Sequence, residues 1–149
     1  MTLRPLFNLR VDLAAPLDFG QTPVGHRRVI NIVGGTCSGD GFAGVVLPGG
    51  ADWQIIRSDG VAVLDARYTL RTDDGALVQV TSQGLRHGPP EVIARLARGE
   101  DVDPREYYFR TAMRFETGAA AHLRLNTVLA IGFGRRAANA VHLRVEELL

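Results

Sequence analysis

Acid–base chemistry needs a proton donor, a proton acceptor and a fixed charge around one cavity, and the run Glu106–Thr117 offers all three. Read as an alternating strand, it sets Tyr108, Arg110, Arg114 and Glu116 on one phase and Tyr107, Phe109, Thr111, Met113 and Phe115 on the other. If the first phase faces a cavity, a phenol, a guanidinium and a carboxylate are enough to bind a planar carbonyl compound and move a proton. The second phase is the better core candidate, and in that reading the polar groups lie outside.

A second carboxylate, Asp52, stands just after the Gly49-Gly50 turn and serves there either as a turn cap or as a site residue. Trp53 points to the opposite face of the same strand, so the two line one cavity only if a bulge intervenes. Its indole reads as core packing with a satisfied N–H, or as a surface on which a ligand stacks. Asp65, Arg67 and Arg71 share one phase of the next run. An inward Arg67 needs a partner or an anionic ligand, whereas an outward one is an ordinary surface cation. Tyr68, on the apolar phase of that run, is a core tyrosine or a hydroxyl at the bottom of a pocket.

Other chemistries lack their residues. The histidines His26, His87, His122 and His142 show no paired ligand spacing and no neighbouring cysteine, so no metal site is expected. The Gly34–Gly39 run is rich in glycine, but a phosphate loop ends on lysine and the chain has none. No G-x-G-x-x-G opens a helix and no G-x-S-x-G elbow occurs, so neither a nucleotide cofactor nor a serine nucleophile is expected. Cys37, the single cysteine, excludes an internal disulfide and reads as a small buried residue. Gly132-Phe133-Gly134-Arg135-Arg136 reads as a turn carrying two solvated cations.

Most of the chain consists of short alternating runs punctuated by glycine, the pattern of an all-β protein. Strands are expected at Leu6–Leu13, Arg27–Val33, Ala51–Arg57, Val61–Thr72, Ala76–Gly84, Glu106–Thr117, Leu123–Phe133 and Ala140–Glu146. Gly34-Gly35 is expected to end the second of these, and Asp18–Pro23 to be a loop. The one good helix candidate runs from Pro89 to Gly99, with Val92, Ile93, Leu96 and Ala97 on a shared face. About eight strands with hairpin connections favour an antiparallel up-and-down barrel, because closure removes exposed edges; a twisted sandwich is the alternative.

A length of 149 residues with 46% hydrophobic and 22% charged residues suits a single domain with one core. Seventeen arginines against sixteen acids give a net charge of +1, so neither nucleic acid nor a membrane is expected as a partner, although a local arginine cluster stays open. Arg4, Arg10, Asp12 and Asp18 interrupt the apolar residues near Met1, so no leader or span is drawn there and a cytoplasmic location is expected.

The segments Gly49–Gln54, Asp65–Gly75, Tyr107–Thr111 and Phe115–Thr117 resemble those of domain of unknown function 3237. The resemblance runs in order from about Arg27 to the C-terminus, with Gly35-Thr36 upstream and Leu125-Asn126 downstream. It implies a small, single-domain, all-β barrel without an agreed activity, so it carries no catalytic role to any position.

Two functions follow as expectations. In the first, a cofactor-free isomerase, cyclase or lyase takes a small aromatic or polyketide-like carbonyl compound inside the barrel. Arg67 or Arg110 would stabilise an enolate-like oxygen, Glu116 or Asp52 would shuttle the proton and Tyr108 would assist as donor. In the second, the same barrel is a non-catalytic carrier or sensor, with arginines on a carboxylate and aromatics against the ligand. A small-molecule ligand is the expected partner, and a homodimer the expected self-association.

Overall fold

The computed structural model describes all residues, Met1–Leu149. Ten strands form one antiparallel sheet: β1 (Leu3–Leu13), β2 (Leu17–Thr22), β3 (Gly25–Gly39), β4 (Phe42–Val46), β5 (Ala51–Ile56), β6 (Ala62–Thr72), β7 (Leu77–His87), β8 (Tyr108–Glu116), β9 (Ala130–Arg136) and β10 (Ala140–Leu148). The order β1-β10-β9-β8-β7-β6 continues through β4 and β5, which share one position, to β3, and β3 pairs back to β1. The result is a closed barrel of eight staves, with β2 as a flap hydrogen-bonded to β3 alone. The all-β, antiparallel barrel expected from the alternation is therefore the architecture of the chain.

The helix α1 (Pro90–Ala97) lies where expected. Proline stands in its first turn with Glu91 beside it, Val92 and Leu96 are buried one turn apart, and Ile93 packs on the core. No helix is long and apolar enough to cross a membrane.

Three expectations about elements are corrected. The Asp18–Pro23 stretch is mostly strand β2, because its backbone finds partners along β3 from Leu17 to Thr22. The Gly34-Gly35 pair does not end β3. A Cβ on Gly35 would lie 1.9 Å from the Arg10 carbonyl oxygen, so glycine lets β1 close onto β3 there and the strand runs on to Gly39. Residues Leu123–Thr127, expected to open a strand, belong instead to 3₁₀ turns over Ala120–Thr127, with Asn126 bonding the backbone of Thr117 and Leu123; the strand begins only at Ala130.

Inside, the two ends of the barrel differ. At one end Phe7 stacks on Phe42 at 4.7 Å and meets Phe115 edge-on at 5.5 Å, while Leu70, Val78, Val80 and Val145 fill the remaining space. At the other end the inward phase becomes polar, and β9 carries two glycines there. A Cβ on Gly134 would sit 2.5 Å from the Phe109 ring, and one on Gly132 would sit 2.4 Å from the Thr111 hydroxyl oxygen. Absent side chains on β9 thus make room for the inward residues of β8.

Gly134→Ala should cost about 1–3 kcal/mol in chemical denaturation by forcing the Phe109 ring aside. Gly118→Ala, where nothing lies within 4 Å, should stay within about 0.5 kcal/mol of the parent. Equal stabilities of the two variants would contradict this packing.

Candidate active site

The polar end encloses a chamber of about 50 Å³, room for a few water-sized groups. Its polar lining is Asp52 and Gln54 from β5, Tyr68 from β6, Ser82 and Arg86 from β7, Thr111 from β8 and Arg136 from β9. Apolar walls come from Ile30, Ile32, Leu64, Phe109 and Leu143. Arg86 and Arg136 also line an outer vestibule of about 430 Å³, together with Arg28, Ile56, Ala62 and the helix residues Ile93, Leu96 and Ala97. The chamber and the vestibule therefore meet at two arginines.

Strand parity explains this set. Asp52 and Gln54 alternate with the outward Trp53 along β5, and Gln54 is 1% exposed. On β7 the phase Val78, Val80, Ser82 continues through Gly84 to Arg86. On β9 the phase Ala130, Gly132, Gly134 ends on Arg136, whose backbone N–H donates to the Tyr107 hydroxyl at 2.9 Å.

The carboxylate is held from two sides. Gln54 Nε2 donates to Asp52 Oδ2 at 2.8 Å, and the Asp65 backbone N–H donates to Asp52 Oδ1 at 2.9 Å. Gln54 Oε1 in turn accepts from Arg28 Nη2 at 3.2 Å. Burial nevertheless outweighs these bonds and the attraction of Arg86, and it raises the Asp52 pKa above the usual carboxylate value.

Its neighbours are perturbed in the complementary sense. Burial, with repulsion from Arg136 and Arg28, lowers Arg86 to about 10, and Arg136 is lowered by burial and by Arg28. Burial and the nearby Asp52 charge push the Tyr68 phenol well up, so it remains a proton donor. The Tyr68 and Thr111 hydroxyls and the Arg28 Nε are buried without a hydrogen-bond partner. A carboxylate poised toward protonation, a phenol donor and cations in one small space can together take a proton and hold an oxyanion. No three His, Cys, Asp or Glu side chains converge in a group that could hold a metal ion.

The residues singled out from the sequence divide between the two faces of the barrel wall. Asp52 and Tyr68 line the chamber. Trp53 is 41% exposed and shares an outer concavity with Phe19, Val24, Asp65 and Arg67, because parity turns it away from Asp52. Tyr108 stacks on His87 at 4.9 Å on the outer surface, and the Arg110 guanidinium lies 4.7 Å from the Phe133 ring centroid. Glu116 lines a separate outer groove with Gln79 and Arg114. The alternative reading of β8, with Phe109, Thr111 and Met113 inside, is the arrangement found.

Arg28, Gln54, Arg86 and Arg136 were missed. Arg86 lies beyond the strand end expected at Gly84, and Arg136 lies in the stretch expected to be a solvated turn. Parity would have found both, since Arg86 continues the phase of Val80 and Ser82, and Arg136 that of Gly132 and Gly134.

Comparison with known proteins supports the architecture along its whole length. Residues 1–148 match the family described as Protein of unknown function (DUF3237). The UPF0311 protein of Rhodopseudomonas palustris is 42% identical over 144 residues, covering 97% of this chain and 94% of that one. A solved structure of a conserved protein of unknown function from the same organism superposes with a TM-score of 0.93 at 42% identity, over 100% of this chain and 99% of the other. A β-barrel-like protein from Acinetobacter baumannii gives 0.86 at 43% identity, over 99% and 96%. More distantly, the fold is shared with an enzyme from Penicillium herquei, at a TM-score of 0.70 and 22% identity over 97% and 93%. A family match over nearly the whole chain, with relatives above two-fifths identity that share the closed barrel, establishes that the protein belongs to the DUF3237 (UPF0311) family.

Proposed function

We propose that the chamber carries out cofactor-free acid–base chemistry on a small carbonyl compound, of the isomerase, cyclase or lyase type. The observation that carries this reading is the placing of Asp52, with its pKa raised by burial, beside Arg86 and the unpartnered Tyr68 hydroxyl. A carboxylate with a raised pKa is a stronger base than a solvated one, and a cation with a phenol donor suits an enolate oxygen.

In the simplest step the ionised Asp52 removes a proton from the carbon next to the substrate carbonyl. The C–H electron pair becomes the enolate, whose oxygen is held by Arg86 and Tyr68. Where the substrate carries a C=C bond next to that carbon, the enolate is a dienolate, and return of the same proton from Asp52 to its far carbon shifts the double bond and gives an isomer with no net gain or loss of atoms. Arg86 thereby takes the role the sequence suggested for Arg67 or Arg110, and Tyr68 that of Tyr108. The fold likeness to a fungal enzyme is consistent with catalysis on such a barrel and says nothing of the substrate.

The second reading, a carrier or sensor, draws support from the same arginines, since a binding site needs cations but no proton acceptor. Asp52→Asn separates the two. For an enzyme, turnover should fall by about 10²-fold or more with KM little changed, and kcat/KM of the parent should rise with pH through the elevated Asp52 pKa. Undiminished turnover in the variant would remove Asp52 from the chemistry.

The site should also weaken the fold. A carboxylate whose native pKa lies above its unfolded value holds its proton more tightly when folded, so stability is lost as pH rises from the unfolded through the native pKa. Asp52→Asn should therefore stabilise the protein at neutral pH, with the gain shrinking as pH falls toward 3.8, as followed by denaturant titration at several pH values. Arg86→Met removes a half-buried, unpaired charge and should add about 1 kcal/mol, roughly 2–4 °C in a melting curve. A lower melting temperature for Arg86→Met would contradict this balance of costs.

A further inference from the structure

The geometry points to a carboxylate on the substrate, bound by Arg28 and Arg136 in the vestibule while the reacting carbonyl enters the chamber beside Arg86 and Asp52. This inference rests on the reading of the chamber as a small-molecule site and adds the chemical class of the molecule.

Charge arithmetic is its first support. Arg28, Arg86 and Arg136 all line the vestibule, and Asp52 is the one carboxylate lining either space. Three cations thus face one acid that burial drives toward neutrality. Arginine keeps its charge when buried, so the excess is not relieved by deprotonation near neutral pH.

Hydrogen bonding is the second. Arg28 donates from Nη2 to Gln54, and its buried Nε has no partner. Arg136 donates from Nε to the Ala137 carbonyl at 3.1 Å. None of the three forms an ion pair, in contrast to Arg98 at the same vestibule, which binds Glu100 at 2.7 Å. Guanidinium forks in a partly dry mouth match the two oxygens of a carboxylate.

The walls argue against a small inorganic anion. Ile56, Ala62, Ile93, Leu96 and Ala97 surround the arginines with apolar surface, and about 430 Å³ is the scale of an organic ligand. An apolar body between the helix and the rim, with its acid group on Arg28 and Arg136, satisfies both surfaces. The carbonyl then lies deeper, past the point where the two spaces share Arg86 and Arg136.

Calorimetric titration of the full chain with 3-phenylpropionate and its neutral amide, 3-phenylpropionamide, tests this. The unmodified protein should prefer the carboxylate at least tenfold, and added salt should erode that preference. In Arg28→Gln and Arg136→Gln the carboxylate-to-amide affinity ratio should fall toward one, and in Asp52→Asn it should hold or increase. Equal affinities in the unmodified protein, binding of neither probe, or a preference that survives in the Arg28→Gln/Arg136→Gln double variant would overturn the inference. So would arginine-dependent binding of inorganic phosphate with no binding of 3-phenylpropionate. The unmodified protein supplies the ratio even if a variant fails to fold. A carboxylate preference alongside full turnover in Asp52→Asn would leave the anion site standing and remove the catalytic reading, while turnover of neutral carbonyl compounds without that preference would do the reverse.

Discussion

Uncompensated positive charge at one mouth of a closed barrel is the constraint around which the molecule is built. Arg28, Arg86 and Arg136 approach one another from β3, β7 and β9 with a single carboxylate among them. Charges buried without partners oppose folding, and this cluster persists only because the rest of the barrel is well packed. The opposite end supplies that packing, with Phe7, Phe42 and Phe115 in contact and Leu70, Val78, Val80 and Val145 fully enclosed. Closure matters equally, since a sheet joined from β1 round to β3 has no seam along which the polar end could open.

The two ends also divide the labour of the glycines. An eight-stave barrel has an interior that ordinary side chains just fill. Gly132 and Gly134 withhold two side chains on β9, and the space admits the Phe109 ring and the Thr111 hydroxyl. The chamber beside them is small, so it suits a reacting group rather than a whole molecule, and the vestibule under α1 is left to receive the remainder.

Much of the fold was legible because alternation survives wherever one strand face is buried. The runs around β1, β5, β6 and β8 declare themselves in this way, as does the helix between Pro89 and Gly99. The site was legible only in part. Asp52 and Tyr68 stood out by type and position, but which phase of β8 faces inward depends on closure with β7 and β9. Tyr108, Arg110 and Glu116 carry the more suggestive chemistry, yet their phase is the outer one because the alternate residues Phe109, Met113 and Phe115 are apolar and pack into the core. Glycine hid the arginines that line the cavity. Gly84 and Gly134 look like strand ends in a sequence, whereas in a curved sheet they are positions where the wall bends or a neighbour intrudes.

The central claim, proton abstraction by Asp52 within the chamber, is tested most directly by hydrogen exchange on a carbonyl compound, which needs no knowledge of the final product. Incubation of 3-benzoylpropionate with the protein in D₂O, followed by proton NMR, reports deuterium entering the carbon beside the ketone. The account predicts exchange well above the buffer rate with the unmodified protein and loss of that excess in Asp52→Asn. Exchange at the buffer rate with the unmodified protein, or undiminished exchange in the variant, would contradict it.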